Sequence, residues 1–284
     1  MWKRIATAVV LLGIVLGTLL GLRQIEVAFA DLVGVLVCVL GVYEMYNALK
    51  QAGYSPVGLA LFFSAATIYP ATYFLGEKGI IASVLLAVMI AIVYFTFSKR
   101  LELKDLFATI GVIVYPVLLF SPFFVLNHSQ YGMLAIMLTL LVPILTDTMA
   151  YFVGITFKGP KLCPTISPKK TISGAIGGVL GGILGAMLVF VLFDYTQCMS
   201  AFKNVGMLTL TDSLVKSGII YAVIGLVGGV ICELGDLGAS SIKRKAGIKD
   251  FGKIFPGHGG MMDRLDSILF MLPIVYVTIS LITR

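Results

Sequence analysis

The chain has 284 residues, of which 59% are hydrophobic and only 12% charged, and its mean hydropathy is +1.03. A soluble domain carries about twice that share of charge, so an ordinary water-soluble globule is excluded. The formal net charge of +7 is no sign of nucleic-acid binding, because the basic residues follow a topological pattern.

In chain order, apolar runs close to the roughly 20 residues needed to cross a bilayer as a helix recur at 5–20, 27–46, 57–75, 79–97, 106–126, 132–153, 172–193, 215–236 and 266–282. Lipid offers backbone groups no hydrogen-bond partners, so each run is predicted to be helical. The expected fold class is therefore all-α: a polytopic integral membrane helical bundle of about nine transmembrane helices. The first run follows Lys3 and Arg4 in the manner of a signal peptide. No small-residue cleavage site follows it, so it is expected to remain as a span. With the N-terminus inside, sixteen of the 21 Lys and Arg residues fall in inside segments and five outside. An excess of Lys and Arg marks the cytoplasmic side, which predicts a cytoplasmic N-terminus and an external C-terminus. Cys38, Cys163, Cys198 and Cys232 share no metal-ligand spacing and are read as small packing residues without disulfides.

The two halves differ. Residues 1–131 read as short-looped transmembrane hairpins, a scaffold with possible dimer contacts. Residues 132–284 read as a catalytic transmembrane domain with longer connections, of which 154–171 and 237–265 fall on the cytoplasmic side. Within the first half, Asp31 and Glu44 lie near span ends and are expected to snorkel to the interface. Asp147 lies inside span six, one turn after Pro143. A carboxylate there is either a functional group or one end of a helix–helix hydrogen bond.

The 154–171 connection ends in Ser167, Lys169, Lys170 and Thr171, directly before a glycine-rich helix start. Helix N-terminal amides beside two lysines form a plausible phosphate cradle, although the Walker A order is absent. Gly177, Gly181 and Gly185 recur at intervals of four, with Gly178 and Gly182 alongside, a spacing that lets helix backbones approach closely. Helix packing accounts for this stripe better than a substrate groove does.

Glu233 and Asp236 are three apart and share one helix face. At the expected end of span eight, the helix dipole disfavours both, so a cation must offset them. Asp263 and Asp266 repeat the spacing at the start of span nine, where capping explains one carboxylate. Capping does not explain four carboxylates expected at one depth. Oxygen-only ligands of this kind suit Mg²⁺ shared with substrate phosphates. Between the two pairs stand Lys243, Arg244, Lys245, Lys249 and Lys253. A surface stretch attracted to anionic lipid would look similar. Carboxylates and basic loops together suit phosphate chemistry on a substrate at the membrane surface. His258, set among Gly257, Gly259 and Gly260, reads as a positioning residue before a base.

The stretch "SSIKRKAGIKDFGKIFPGHGGMMDRLDS" (240–267) resembles the signature of the phosphatidate cytidylyltransferases, or CDP-diacylglycerol synthases. "TDTMAYFVG", "SPKKT" and "GDL" upstream are similar to the family's earlier blocks. One departure is Ser173, where relatives commonly carry an acidic residue. The resemblance implies that CTP and phosphatidic acid yield CDP-diacylglycerol and pyrophosphate, with one or two Mg²⁺ ions. It implies Asp236 and Asp263 as principal metal ligands, with Glu233, Asp266 and Asp147 in support. Lys169, Lys170, Lys243, Arg244 and Arg264 would hold phosphates, with Ser167 and Thr171 in the same nucleotide-binding block and His258 in the catalytic set. It further implies membrane lipids as partners, a homodimer, and a bacterial plasma (inner) membrane location with the site facing the cytoplasm.

Three other functions share some of these features. A CTP-dependent lipid kinase would transfer the γ-phosphoryl group. A transporter would place its charges at the bilayer midplane, often within internal repeats. A membrane protein whose basic loops only bind anionic lipid leaves the carboxylates unexplained.

Overall fold

A computed structural model describes Gly13 and residues 17–255 and 259–283. Span 5–20 lies mostly outside the described residues, as do Lys3, Arg4, Pro256, Gly257, His258 and Arg284. Eight helices among the described residues are long and apolar enough to cross a membrane. They are α1 (Val27–Gln51), α2 (Gly58–Leu75), α3 (Glu77–Phe97), α4 (Leu103–His128), α5 (Gly132–Phe157), α6 (Ile172–Tyr195), α7 (Leu214–Lys245) and α8 (Met262–Ile282). They correspond one by one to expected spans two to nine, and the protein is a polytopic helical membrane protein.

The ends differ from expectation, most of all in α7. It was expected to end near residue 236 but runs on to Lys245, so Glu233 and Asp236 stand in mid-helix. Hydropathy marks only the lipid-buried part of a helix, whereas the helix continues while its backbone bonds and end charges favour it. Here Lys243, Arg244 and Lys245 occupy the last turn, where cations complement the dipole. Gly247, at φ +69°, then takes the left-handed conformation. Its amide and that of Ile248 return to the carbonyls of Arg244 and Lys243, closing the helix in the usual glycine-terminated way. In α4 the segment Ile113–Leu118, containing Pro116, widens to a π-helical turn, a common response to proline's missing amide hydrogen.

Among the described residues there is also a short antiparallel hairpin, β1 (Lys161–Cys163) and β2 (Ser167–Thr171), pairing Lys161 with Thr171 and Cys163 with Ser167. It occupies the connection between α5 and α6.

By packing, the chain divides into two compact units, residues 1–125 with 242–265, and residues 126–241 with 266–284. In the first, Gly34 of α1 receives the rings of Phe123 and Phe124 from α4, and Ala60, Leu61, Ala65 and Ile68 of α2 are fully buried. Asp31 and Glu44 do not snorkel: they are 0% and 2% exposed. Asp31 instead faces Tyr69 and Arg23. In the second unit the glycine stripe of α6 packs on both sides. A Cβ on Gly181 or Gly185 would strike the backbone of α5 at Leu145 or Leu141, and one on Gly182 would lie 2.6 Å from the Gly225 carbonyl of α7. The stripe is helix packing, and it draws α5, α6 and α7 together.

Candidate active site

The hairpin and the three close-packed helices α5, α6 and α7 bound a cavity of about 610 Å³. Its lining includes Asp147 and Tyr151 from α5, Lys169 and Lys170 from β2, and Glu233 and Asp236 from α7. Close helix approach makes this geometry possible. Gly178 of α6 faces Glu233 so closely that a Cβ there would collide with its carboxylate.

Lys170 is the centre of the arrangement. Its Nζ lies 2.5 Å from Glu233 Oε2 and 2.8 Å from Asp236 Oδ2. The cation expected beside the acidic pair is therefore present, but the reason for it changes. Mid-helix placement removes the dipole penalty, and what Lys170 offsets is two carboxylates, one of them buried, drawn to one point. Burial works against the Lys170 ammonium, but Asp236 and Glu233 more than offset it and hold the group above its ordinary value of 10.5. The lysine stays charged throughout the physiological range.

The remaining residues of this block have mainly structural contacts. Thr171 caps α6, its Oγ1 accepting the Gly174 amide at 3.1 Å, which is the plain capping role. Ser173 donates to the Lys158 carbonyl at the end of α5 and pairs with Thr171 Oγ1. Ser173 thus ties the hairpin to α5. Ser167 opens β2 and Lys169 is exposed on it. Lys158 and Lys161 also line the cavity and were not singled out. Their signal is the turn "KGPK", where Lys158 takes a positive φ of 53° and Gly159 one of 111°.

A second grouping forms within the first unit. Asp263, in the first turn of α8, accepts Lys243 Nζ at 2.7 Å on Oδ1, and the amides of Phe251 and Gly260, each at 2.9 Å, on Oδ2. The Lys243 ammonium also lies 5.2 Å from the centre of the Phe251 ring. Arg244 and Arg264 are exposed. Asp266 is buried, and its Oδ1 accepts the Ser267 amide at 2.9 Å. His258 lies outside the described residues.

A divalent metal fits the residues of the cavity in one respect and is constrained in another. Glu233 and Asp236 supply oxygens that already converge on one cation, and hard oxygen donors suit Mg²⁺. Among the described residues, no three His, Cys, Asp or Glu side chains cluster closely enough to hold a metal alone. Such a donor set matches an ion held by one or two carboxylates together with substrate phosphates.

Comparison with known proteins identifies the family. The Cytidylyltransferase family matches residues 2–282. The chain is 29% identical over 256 residues to the phosphatidate cytidylyltransferase of Bacillus subtilis (strain 168), covering 87% of this chain and 88% of that protein. It is 36% identical over 167 residues to that of Rickettsia prowazekii (strain Madrid E), covering 59% and 67%. With that of Mycobacterium bovis (strain ATCC BAA-935 / AF2122/97) it shares 28% over 289 residues, covering 95% and 88%. With its membrane-spanning helices and its lysine–carboxylate cavity, this chain belongs to the cytidylyltransferase family and is a nucleotidyltransferase of the membrane.

Proposed function

We propose that the protein is a phosphatidate cytidylyltransferase. An oxygen of the lipid phosphate forms a bond to the α-phosphorus of CTP, the bond between the α- and β-phosphates breaks, and pyrophosphate leaves. The observation that carries this reading is the cavity in which Lys170, Glu233 and Asp236 meet with Lys169 on the wall, in a chain whose relatives bear that name.

The chemistry asks for charge control more than for a base. A phosphate monoester has a second pKa of about 6, so the lipid nucleophile is already ionised at neutral pH. The barrier is repulsion between two anions, which positioned cations relieve. Lys169 and Lys170 supply cations at the cavity, and Lys243, Arg244 and Arg264 supply them on the second grouping. Ser167 and Thr171 shape the block that carries the two lysines. Bound Mg²⁺ would add charge neutralisation on the phosphate oxygens. Asp236 and Asp263 are proposed as principal ligands of one or two such ions, with Glu233, Asp266 and Asp147 in support. Lys170, now held by Glu233 and Asp236, would turn its ammonium to phosphate if those carboxylates held a divalent ion. Asp263 would offer a metal the lone pair on Oδ1 that Lys243 leaves unused, the two amides occupying Oδ2. His258 is assigned a positioning role. The Lys and Arg bias supports a site facing the cytoplasm of a bacterial plasma membrane, and a homodimer is part of the proposal.

The test uses purified protein in detergent with phosphatidic acid, Mg²⁺ and CTP labelled at the α- or the γ-phosphate. Label from the α position is expected in the lipid fraction, with γ label released as pyrophosphate. Asp236→Asn should abolish this transfer in a protein that still folds and inserts. Label from γ in the lipid would identify a kinase, and transfer of neither would return the transporter reading.

A further inference from the structure

Glu44 has no part in the chemistry above, yet its surroundings are those of a built contact. It lies in α1, a helix apolar enough to span a membrane, and is 2% exposed. A carboxylate in such a place costs free energy unless hydrogen bonds compensate it. Its Oε2 accepts the amide of Met262 at 2.9 Å. Met262 is the first residue of α8, whose opening amides have no partner within the helix. A residue 218 positions away in sequence therefore caps this helix, with the favourable sign for the dipole at its N-terminus.

The chain leading into α8 is shaped around the same group. A Cβ placed on Gly252 or on Gly260 would collide with the Glu44 carboxylate. At both positions the carboxylate occupies the space where a side chain would begin, so a Cβ there would displace Glu44. One residue on from Met262, Asp263 accepts the amides of Phe251 and Gly260 and the ammonium of Lys243. Two carboxylates thus organise one stretch of backbone. Asp263 holds it from within, and Glu44 holds it from α1.

We infer that Glu44 is a positioning residue for the nucleotidyl transfer: through the Met262 amide and the contacts at Gly252 and Gly260 it fixes the start of α8, which presents Asp263, the partner of Lys243, and Arg264. The catalytic part of this inference rests on the function proposed above. The structural part does not. What matters in Glu44 is its acceptor oxygen and its length, so Gln, which keeps both, replaces it and Ala does not.

Hydrogen exchange and kcat/KM separate the two parts, measured on full-length wild type, Glu44→Gln and Glu44→Ala in the same detergent, with turnover expressed per folded molecule. In Glu44→Ala, amide exchange in the peptide covering 251–262 is expected to rise, and kcat/KM to fall, each by about tenfold, the equivalent of one lost hydrogen bond to a charged acceptor. Glu44→Gln should stay within about threefold of wild type in both, since the amide contact is retained. Should Glu44→Ala fail to fold, Glu44→Asp withdraws the oxygen by one methylene and is expected to move both readouts in the same direction. Unchanged exchange at 251–262 overturns the inference, and so does equal loss in Gln and Ala. A lowered melting temperature with unchanged turnover per folded molecule would make Glu44 a stability residue only and would also overturn it. Were cytidylyl transfer itself absent, exchange alone would still decide whether Glu44 holds the segment.

Discussion

At the scale of single residues, Lys170 decides how the acidic pair on α7 can exist. Lys170 and Glu233 are largely buried, with side chains 19% and 8% exposed, and Asp236 is 27% exposed. Removing one partner of a buried ion cluster leaves charge uncompensated, at a cost of about 3 kcal/mol or more. Lys170→Met is therefore expected to lower the melting temperature markedly and to abolish transfer, while Lys170→Arg should recover most of the stability. The pH dependence has a definite sign. Because Lys170 titrates above its ordinary 10.5 in the fold, its contribution to stability is complete below that value and is lost as pH rises through the raised one. A melting series from neutral pH to strongly alkaline solution should show this loss in the wild type and not in Lys170→Met. Little of this was legible beforehand. The spacing of Glu233 and Asp236 put them on one face and called for a cation, but sequence alone could not say which lysine would provide it, because the hairpin that delivers Lys170 is a matter of tertiary pairing.

At the scale of elements, the spans were legible because lipid imposes one rule, that about 20 successive apolar residues satisfy their backbone within a helix. The end of α7 was not, since helix length beyond the lipid depends on terminal charges and the closing glycine. The glycine stripe was read correctly as packing, and the structure shows what each row meets. At Gly182 the neighbours of an added Cβ are backbone, the Gly225 carbonyl at 2.6 Å and the Gly229 Cα at 2.7 Å, which cannot swing aside as a side chain can. Gly182→Ala is expected to destabilise the fold by about 1–3 kcal/mol through overpacking and to reduce activity by displacing α7 from α6. Gly111, in α4, has nothing within 4 Å of an added Cβ. Gly111→Ala should be neutral or stabilising by up to about 1 kcal/mol through helix propensity. Thermal unfolding of the two variants in parallel checks the contrast.

For the whole molecule, the proposed orientation rests on the distribution of Lys and Arg, and two native thiols offer a direct test. Cys198 is exposed in the connection after α6, and Cys163 is half-buried in β1. The expected topology puts the first outside and the second in the cytoplasm. A membrane-impermeant maleimide applied to intact cells should label Cys198, and Cys163 should react only after permeabilisation. The reverse pattern would invert the topology and with it the proposed face of the site. Cys38 and Cys232 are buried and should remain silent in both conditions.

Composition and the length of the apolar runs were enough to establish a membrane protein of many helices, and the spacing of its few charged residues pointed toward phosphate chemistry. Those features are local: a run of apolar residues or an i, i+3 pair carries its meaning within one helix. Tertiary structure alone decided which charges meet. It brought Lys170 to Glu233 and Asp236, and it set residues 242–265 in the same compact unit as 1–125. It also buried Glu44 against the start of α8, where the sequence suggested a side chain reaching for the interface. The physical reason is common to all three. A charge buried in an apolar chain is tolerated only where a partner stands, and the partners here are far away in sequence.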